Sequence, residues 1–248
     1  MSGHSHWSTI KRKKGAVDAK RGREFSKLAK AIMIAARDGG GDPAMNLALR
    51  YAIDKAKAAN MTKDAISRAT KKGTGELAGG TIEHLTYEGY GPAGVAIFVE
   101  CLSDSRNRTS GQISHIFDSR GGSMGSPGCV SWMFSKKGVI AVSNSVSEEK
   151  LMEVALDAGA DDIEEMPDGF EVTCKPVALD AVKGAIEAAG IAVESAEVTN
   201  VPQNYITLGK DDARKILRLM EALDDNDDVQ AVHANFDIPV EILEEIQN

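Results

Sequence analysis

The chain has 248 residues, 42% hydrophobic and 27% charged, with a formal net charge of −8. That length and balance fit one to three globular domains, and no run of about eighteen apolar residues is present to span a membrane. The start, Met-Ser-Gly-His-Ser-His-Trp, has neither an apolar core nor an Arg-rich presequence, and Cys101, Cys129 and Cys174 lack framework spacing, so a cytoplasmic, reducing setting is predicted.

The net charge hides a division. Met1 to Lys72 holds 17 of the 29 Lys and Arg but only 6 of the 37 Asp and Glu, a formal charge of +11, and the remainder carries −19. A polyanion with phosphate charges is the natural partner of the first part, because each neutralised phosphate releases condensed counterions. The candidate contacts are the run Lys11, Arg12, Lys13 and Lys14, followed by Lys20, Arg21, Arg23, Lys27 and Lys30 at helical spacing.

Residues 1–15 read as an extended arm whose one large aromatic, Trp7, packs back on the first helix or stacks on a base. His4 and His6 make a weak metal pair without a third ligand, and no metal is assigned. A helix is predicted from about Ala16 to Asp38, with Phe25, Leu28, Ala29, Ile32, Ala35 and Ala36 on its apolar stripe. Gly39-Gly40-Gly41 ends it. Asp42-Pro43 reads as N-cap and first-turn proline of a second helix, with Leu49, Ala52, Ile53 and Ala56 inward and Asn60 as its stop. Thr62 caps a third, with Met61 and Ile66 as a hydrophobic staple, Lys71 and Lys72 in its last turn and Gly73 after it. Residues 1–72 are thus a basic helical domain, and the half-glycine stretch 73–80 is a hinge.

Strands follow at Ile82 to Tyr87 and Val95 to Cys101, then a helix capped by Ser103 or Asp104 and reaching Ser119, then a strand over Val130 to Phe134. A second unit begins at Gly138, with strands at Val139 to Val142, Phe170 to Cys174 and Ile191 to Val198. Helices at Ser147 to Gly159 and Leu179 to Ala189 alternate with them, and a further strand near Tyr205 to Leu208 is expected. The tail offers a helix over Asp211 to Leu223 and a strand over Val229 to Phe236. One helix and one strand cannot form a domain alone, whereas the 81–137 segment lacks both. The predicted class is α+β. A three-helix domain precedes two ferredoxin-like, split β-α-β domains, 81–137 plus 204–248 and an acidic insert 138–203.

Arg106 and Arg108 stand at a predicted helix N-terminus, where free N–H groups would add to a phosphate site; the other reading is that they pair with nearby acids. The stretch Gly121 to Gly128 has no Gly-Lys-Ser/Thr ending and reads as a mobile surface turn. Asp161-Asp162, Glu164-Glu165, Asp224-Asp225 and Asp227-Asp228 lack Ca²⁺-loop spacing and read as solvated loops. His84, His115 and His233 are scattered and no serine sits in a nucleophile elbow, so no enzyme activity, cofactor or small-molecule substrate is predicted.

Gly3-His4-Ser5-His6-Trp7, Asp18-Ala19-Lys20-Arg21-Gly22, Gly39 to Pro43, Tyr87-Glu88-Gly89-Tyr90-Gly91-Pro92, Glu100 to Asp104 with Arg106-Asn107-Arg108-Thr109, and Phe134-Ser135-Lys136-Lys137-Gly138 resemble the YebC/PmpR family over nearly the whole length. The resemblance implies a helical domain and two α/β domains in a U-like arrangement, and a cytoplasmic regulator of transcription that binds promoter DNA. It also implies kinship with mitochondrial translational activators and with proteins that relieve ribosome stalling. Carried over, the basic residues around Lys11 to Lys30 form the nucleic-acid surface; His6 stands where relatives usually have lysine. DNA is the first partner expected and ribosomal RNA the second.

Overall fold

The computed structural model describes residues 18–78, 81–166 and 169–247; side chains before Gly22 and that of Gln247 fall outside the description. The class is mixed α+β, three N-terminal helices followed by sheet domains. The described chain divides into two compact units. One holds residues up to Cys129 together with Lys210–Val232, and the other Val130–Gly209 with His233 onward.

In the first unit α1 (Asp18–Gly39), α2 (Leu47–Ala58) and α3 (Lys63–Gly73) form the helical part. Their stripes meet as expected: Leu28, Ile32 and Ala36 of α1 bury against Leu49, Ile53 and Ala56 of α2 and Ile66 and Ala69 of α3. The α2 start differs from expectation. Its cap is Asn46, whose side chain accepts from Leu49 N, while Asp42 closes a turn by accepting from Ala44 N. Asn46 also donates to Ala35 O and Gly40 O at 2.7 and 2.8 Å, so one buried amide joins the end of α1 to the start of α2. Thr62 caps α3 and Asn60 takes the left-handed conformation after α2. After Gly73 the chain does not leave as a free linker at once. Thr74 N, Gly75 N and Leu77 N bond back to Thr70 O, Lys72 O and Lys71 O.

Gly73 has a steric role. A Cβ there would lie 2.3 Å from Met33 O and 2.8 Å from Ala36 Cβ on α1. Gly73→Ala is expected to cost about 1–3 kcal/mol, since backbone must move to admit the methyl. Gly22→Ala, whose Cβ meets nothing within 4 Å, should instead stabilise α1 by up to about 1 kcal/mol. Denaturant unfolding of the two variants checks both signs, and equal stabilities would contradict the close approach.

The same unit contains a four-stranded sheet in the order β3-β1-β2-β9, from β1 (Glu83–Tyr90), β2 (Ala96–Ser103), β3 (Ser123–Met124) and β9 (Val229–Ala234), the last of these belonging to it through Val232. β1 and β2 pair antiparallel, Glu83 opposite Ser103 through Tyr90 opposite Ala96. Helix α4 (Arg106–Ser119) buries Thr109, Ile113 and Phe117. Helix α7 (Lys210–Asp224) buries Ala213, Ile216, Leu219, Met220 and Leu223, a stripe of helical period. The glycine-rich stretch after α4 is pinned rather than loose: Gly125 N and Gly128 N donate to the backbone and carboxylate of Glu88, both at 2.7 Å. The buried Glu88 side chain is what sequence alone could not supply.

In the other unit β4 (Phe134–Ser143), α5 (Glu148–Asp157), β5 (Ala160–Met166), β6 (Gly169–Cys174), α6 (Leu179–Ala188) and β7 (Val193–Pro202) give the order β-α-β-β-α-β. The sheet order is β5-β6-β4-β7, and these neighbours pair antiparallel. Ile140, Val172, Leu151, Val182 and Ile186 lie at its centre. Three expectations are corrected. Ser131–Met133 is a single 3₁₀ turn, and the strand begins at Phe134. The fourth strand is β5, the acidic stretch read as a solvated loop. It lies at the sheet edge, where charged side chains are tolerated and discourage further pairing. The two-residue β8 (Ile206–Thr207) instead pairs in parallel with β10 (Phe236–Asp237), and a final helix α8 (Val240–Gln247) follows.

Candidate nucleic-acid interface

Lys11, Arg12, Lys13 and Lys14 lie outside the described residues, as do Trp7, His4 and His6; Lys20 and Arg21 are on α1, their side chains undescribed. The remaining five predicted contacts can be placed. Arg23, Lys27 and Lys30 share one face of α1 and meet the end of α7 and the loop after it. Arg23 Nη1 donates to Asp225 O at 3.2 Å and stands 3.4 Å from its carboxylate. Lys27 donates to Asp224 O, with the Asp224 carboxylate at 3.7 Å. Lys30 Nζ reaches Asp227 O at 3.0 Å and Asp228 Oδ1 at 2.5 Å. Cations are favourable at a helix C-terminus, where carbonyls lack intrahelical donors.

Asp228 is the centre of this arrangement. Only 3% exposed, its Oδ2 accepts from Thr109 Oγ1 at 2.7 Å, Arg108 Nη2 at 2.9 Å and Ser103 Oγ at 3.1 Å. Burial alone would raise its carboxyl pKa. Hydrogen bonds from Arg108, Lys30 and Thr109, with the Lys30 charge, outweigh burial and hold the group well below the carboxylate range. Arg108 also bonds Asp104 at 2.8 Å, and Arg106 meets Glu83 at 3.2 Å. The α4 cap is Ser105, so Asp104 serves Arg108 and does not cap. Around these groups is a cleft of about 560 Å³ lined also by Ser26, Gln112 and Asn226.

The arrangement offers anchoring chemistry more than catalysis. Burial, then the neighbouring Asp228 charge, pushes the Cys101 thiol up to about 12, leaving it protonated at neutral pH. Among the described residues no three or more His, Cys, Asp or Glu group as a metal site, and no helix is long and apolar enough to cross a membrane.

A second set of cations points outward. Arg50 on α2 and Lys63, Arg68, Lys71 and Lys72 on α3 are exposed. Among the described residues these five pair with no carboxylate, whereas Lys57 pairs with Asp54 at 3.2 Å.

The family model for the TACO1/YebC N-terminal domain matches residues 5–76, and that for the TACO1/YebC second and third domain matches residues 82–236. The chain belongs to the TACO1/YebC family. A probable transcriptional regulatory protein of Geobacter sulfurreducens is 55% identical over 246 residues, covering 99% of this chain and 100% of the relative. One of the same description from Desulfatibacillum aliphaticivorans is 56% identical over 246 residues, covering 99% and 100%. The crystal structure of a conserved hypothetical protein from Aquifex aeolicus superposes with a TM-score of 0.85 at 45% identity, over 96% of this chain and 99% of that one.

In this TACO1/YebC chain, the residues that sequence reasoning missed are Asp224, Asp225, Asp227 and Asp228. A run of four aspartates around one asparagine carries no local sign that its last member is buried. The only signal was indirect, a concentration of Ser, Asp, Arg and Thr at 103–109 in excess of what a helix start needs.

Proposed function

We propose that this TACO1/YebC protein is a non-enzymatic regulator that binds DNA and controls transcription, using its basic N-terminal segment as the nucleic-acid surface. The observation that carries the reading is the segregation of charge, +11 in Met1 to Lys72 against −19 in the remainder. The relatives' description as probable transcriptional regulatory proteins supports it. Lys11 to Lys14, Lys20 and Arg21 are the proposed phosphate contacts. Arg23, Lys27, Lys30 and Arg108 anchor the fold and contribute where a polyanion reaches their exposed portions; Arg106 borders the same α4 terminus. Contacts of this kind position a polyanion and read little sequence.

With about six phosphates neutralised, log affinity for duplex should fall against log salt with a slope near −5. Replacing Lys11, Arg12, Lys13 and Lys14 by Ala should flatten the slope and weaken binding evenly across sequences. A competition titration of the full chain between promoter duplex and purified ribosomes checks the target. No binding to either removes the nucleic-acid reading. A preference of more than about tenfold for ribosomes, roughly 1.4 kcal/mol, moves the function to translation, the second partner the charge admits.

A further inference from the structure

Three large apolar side chains are exposed at and just before the start of α2. Met45 is 85% exposed, Leu47 44% and Tyr51 38%. Leu47 and Tyr51 are one helical turn apart, on the side of α2 opposite Leu49, Ile53 and Ala56, which fill the bundle core. The stripe therefore contributes nothing to the core, and its surroundings are cationic. Residues 44–73 hold seven Lys and Arg against two Asp, a formal charge of +5.

The bundle brings more of that charge to the same end. Asn46, at the start of α2, bonds Ala35 O and Gly40 O. A Cβ on Gly41 would touch the methyls of Thr74 and Thr70 at 2.9 and 3.5 Å, at the end of α3. The first turn of α2 and the last turn of α3, with Lys71 and Lys72, thus flank one glycine corner. Arg50 directly precedes Tyr51.

We infer that Tyr51 is a stacking platform for an unpaired base, and that this face of α2, with Arg50, Lys71 and Lys72 for the phosphates, binds single-stranded nucleic acid. The inference rests on the nucleic-acid reading and specifies the form of the ligand. A partly exposed tyrosine ring on a helical segment of net positive charge combines the two features that hold single strands, a flat π surface and neutralised phosphates. In a duplex the base faces are already stacked, so the ring finds no partner there. The positive field disfavours a basic protein partner and a second copy of the same face, and favours a polyanion.

The test uses the full chain with short oligothymidine, oligouridine and a mixed-sequence duplex, titrated for wild type, Tyr51→Ala and Tyr51→Trp. Tyr51 lies outside the bundle core but is only 38% exposed, so each variant is titrated well below its own melting temperature. Tyr51→Ala should weaken single-strand binding about tenfold or more, Tyr51→Trp should retain it, and duplex affinity should stay within about twofold. Oligothymidine against oligouridine tells whether the strand is DNA or RNA. If wild type binds the strands and Tyr51→Ala binds them equally, the platform is wrong while the nucleic-acid reading stands. If wild type binds none of the three, both fail together. A concentration-dependent dimer abolished by Tyr51→Ala would assign the stripe to self-association and overturn the inference.

Discussion

Asp228→Asn should lower the stability of the folded chain by about 3 kcal/mol, one of the two largest effects expected here. The substitution keeps size and shape and removes one charge. It leaves Lys30 and Arg108 facing a neutral amide, and an amide cannot accept from Thr109, Ser103 and Arg108 at once while also serving Lys30. Both cations are partly exposed, which keeps the loss toward the lower end of the range for a broken buried pair. The pH dependence has a definite sign. The folded carboxyl titrates below its ordinary value of 3.8, so its contribution is complete above that value. It is lost as pH falls through 3.8 toward the folded value. The stability gap between wild type and Asp228→Asn should be constant near neutral pH and close in strong acid. Chemical denaturation at several pH values measures it, and a gap that widened on acidification would contradict the assignment.

A chain ending at Gly209 should fail to fold its first unit. It loses the five buried residues of α7, all of β9 and Asp228. The loss reaches the β1–β2 turn directly, since a Cβ at Gly91 would lie 2.6 Å from Ile216 Cδ1 and 3.2 Å from Leu219 Cδ2. Removing α7 uncovers that side of the sheet, including Ile97, and more apolar area is exposed than the remaining contacts can offset. The β4–β7 sheet keeps its whole core, which is drawn from Ile140 to Ile191, and should retain a cooperative transition. Calorimetry should therefore show one surviving transition and binding of an apolar dye to the remainder. A melt indistinguishable from the full chain would mean that the segment 81–129 needs no tail, and that the proposed discontinuous domain is wrong.

The helices of the first unit were legible because their burial is one-sided. Leu28, Ile32 and Ala36, or Ile216, Leu219 and Leu223, repeat at the period of an α-helix, and no tertiary knowledge is needed to find them. The acidic strand β5 was not, because an edge strand buries little. Of its seven residues none is buried outright, so the alternation that marks a strand is nearly erased. The α2 start was misplaced because Asp42-Pro43 satisfies a turn as readily as a helix start, and the true cap, Asn46, is chosen by its bonds to Ala35 and Gly40. Legibility of the candidate site was divided in the same way. The positive charge was visible in composition, whereas the pairing of Lys27, Lys30 and Arg108 depends on residues some 120 to 200 positions away.

That separation bears on the order of events in folding. The Lys30–Asp228 bond spans 198 residues and the Thr109–Asp228 bond 119. Both close loops that can form only after synthesis has passed Asp228. The helical segment emerges before them, and the α1 cation Lys30 must wait for an aspartate made 198 residues later. Until then Arg23, Lys27 and Lys30 face solvent without these partners. Closing loops of 119 and 198 residues costs chain entropy that the folding barrier has to pay before such contacts reward it, so the stability lost in Asp228→Asn should appear as faster unfolding with the refolding rate nearly unchanged.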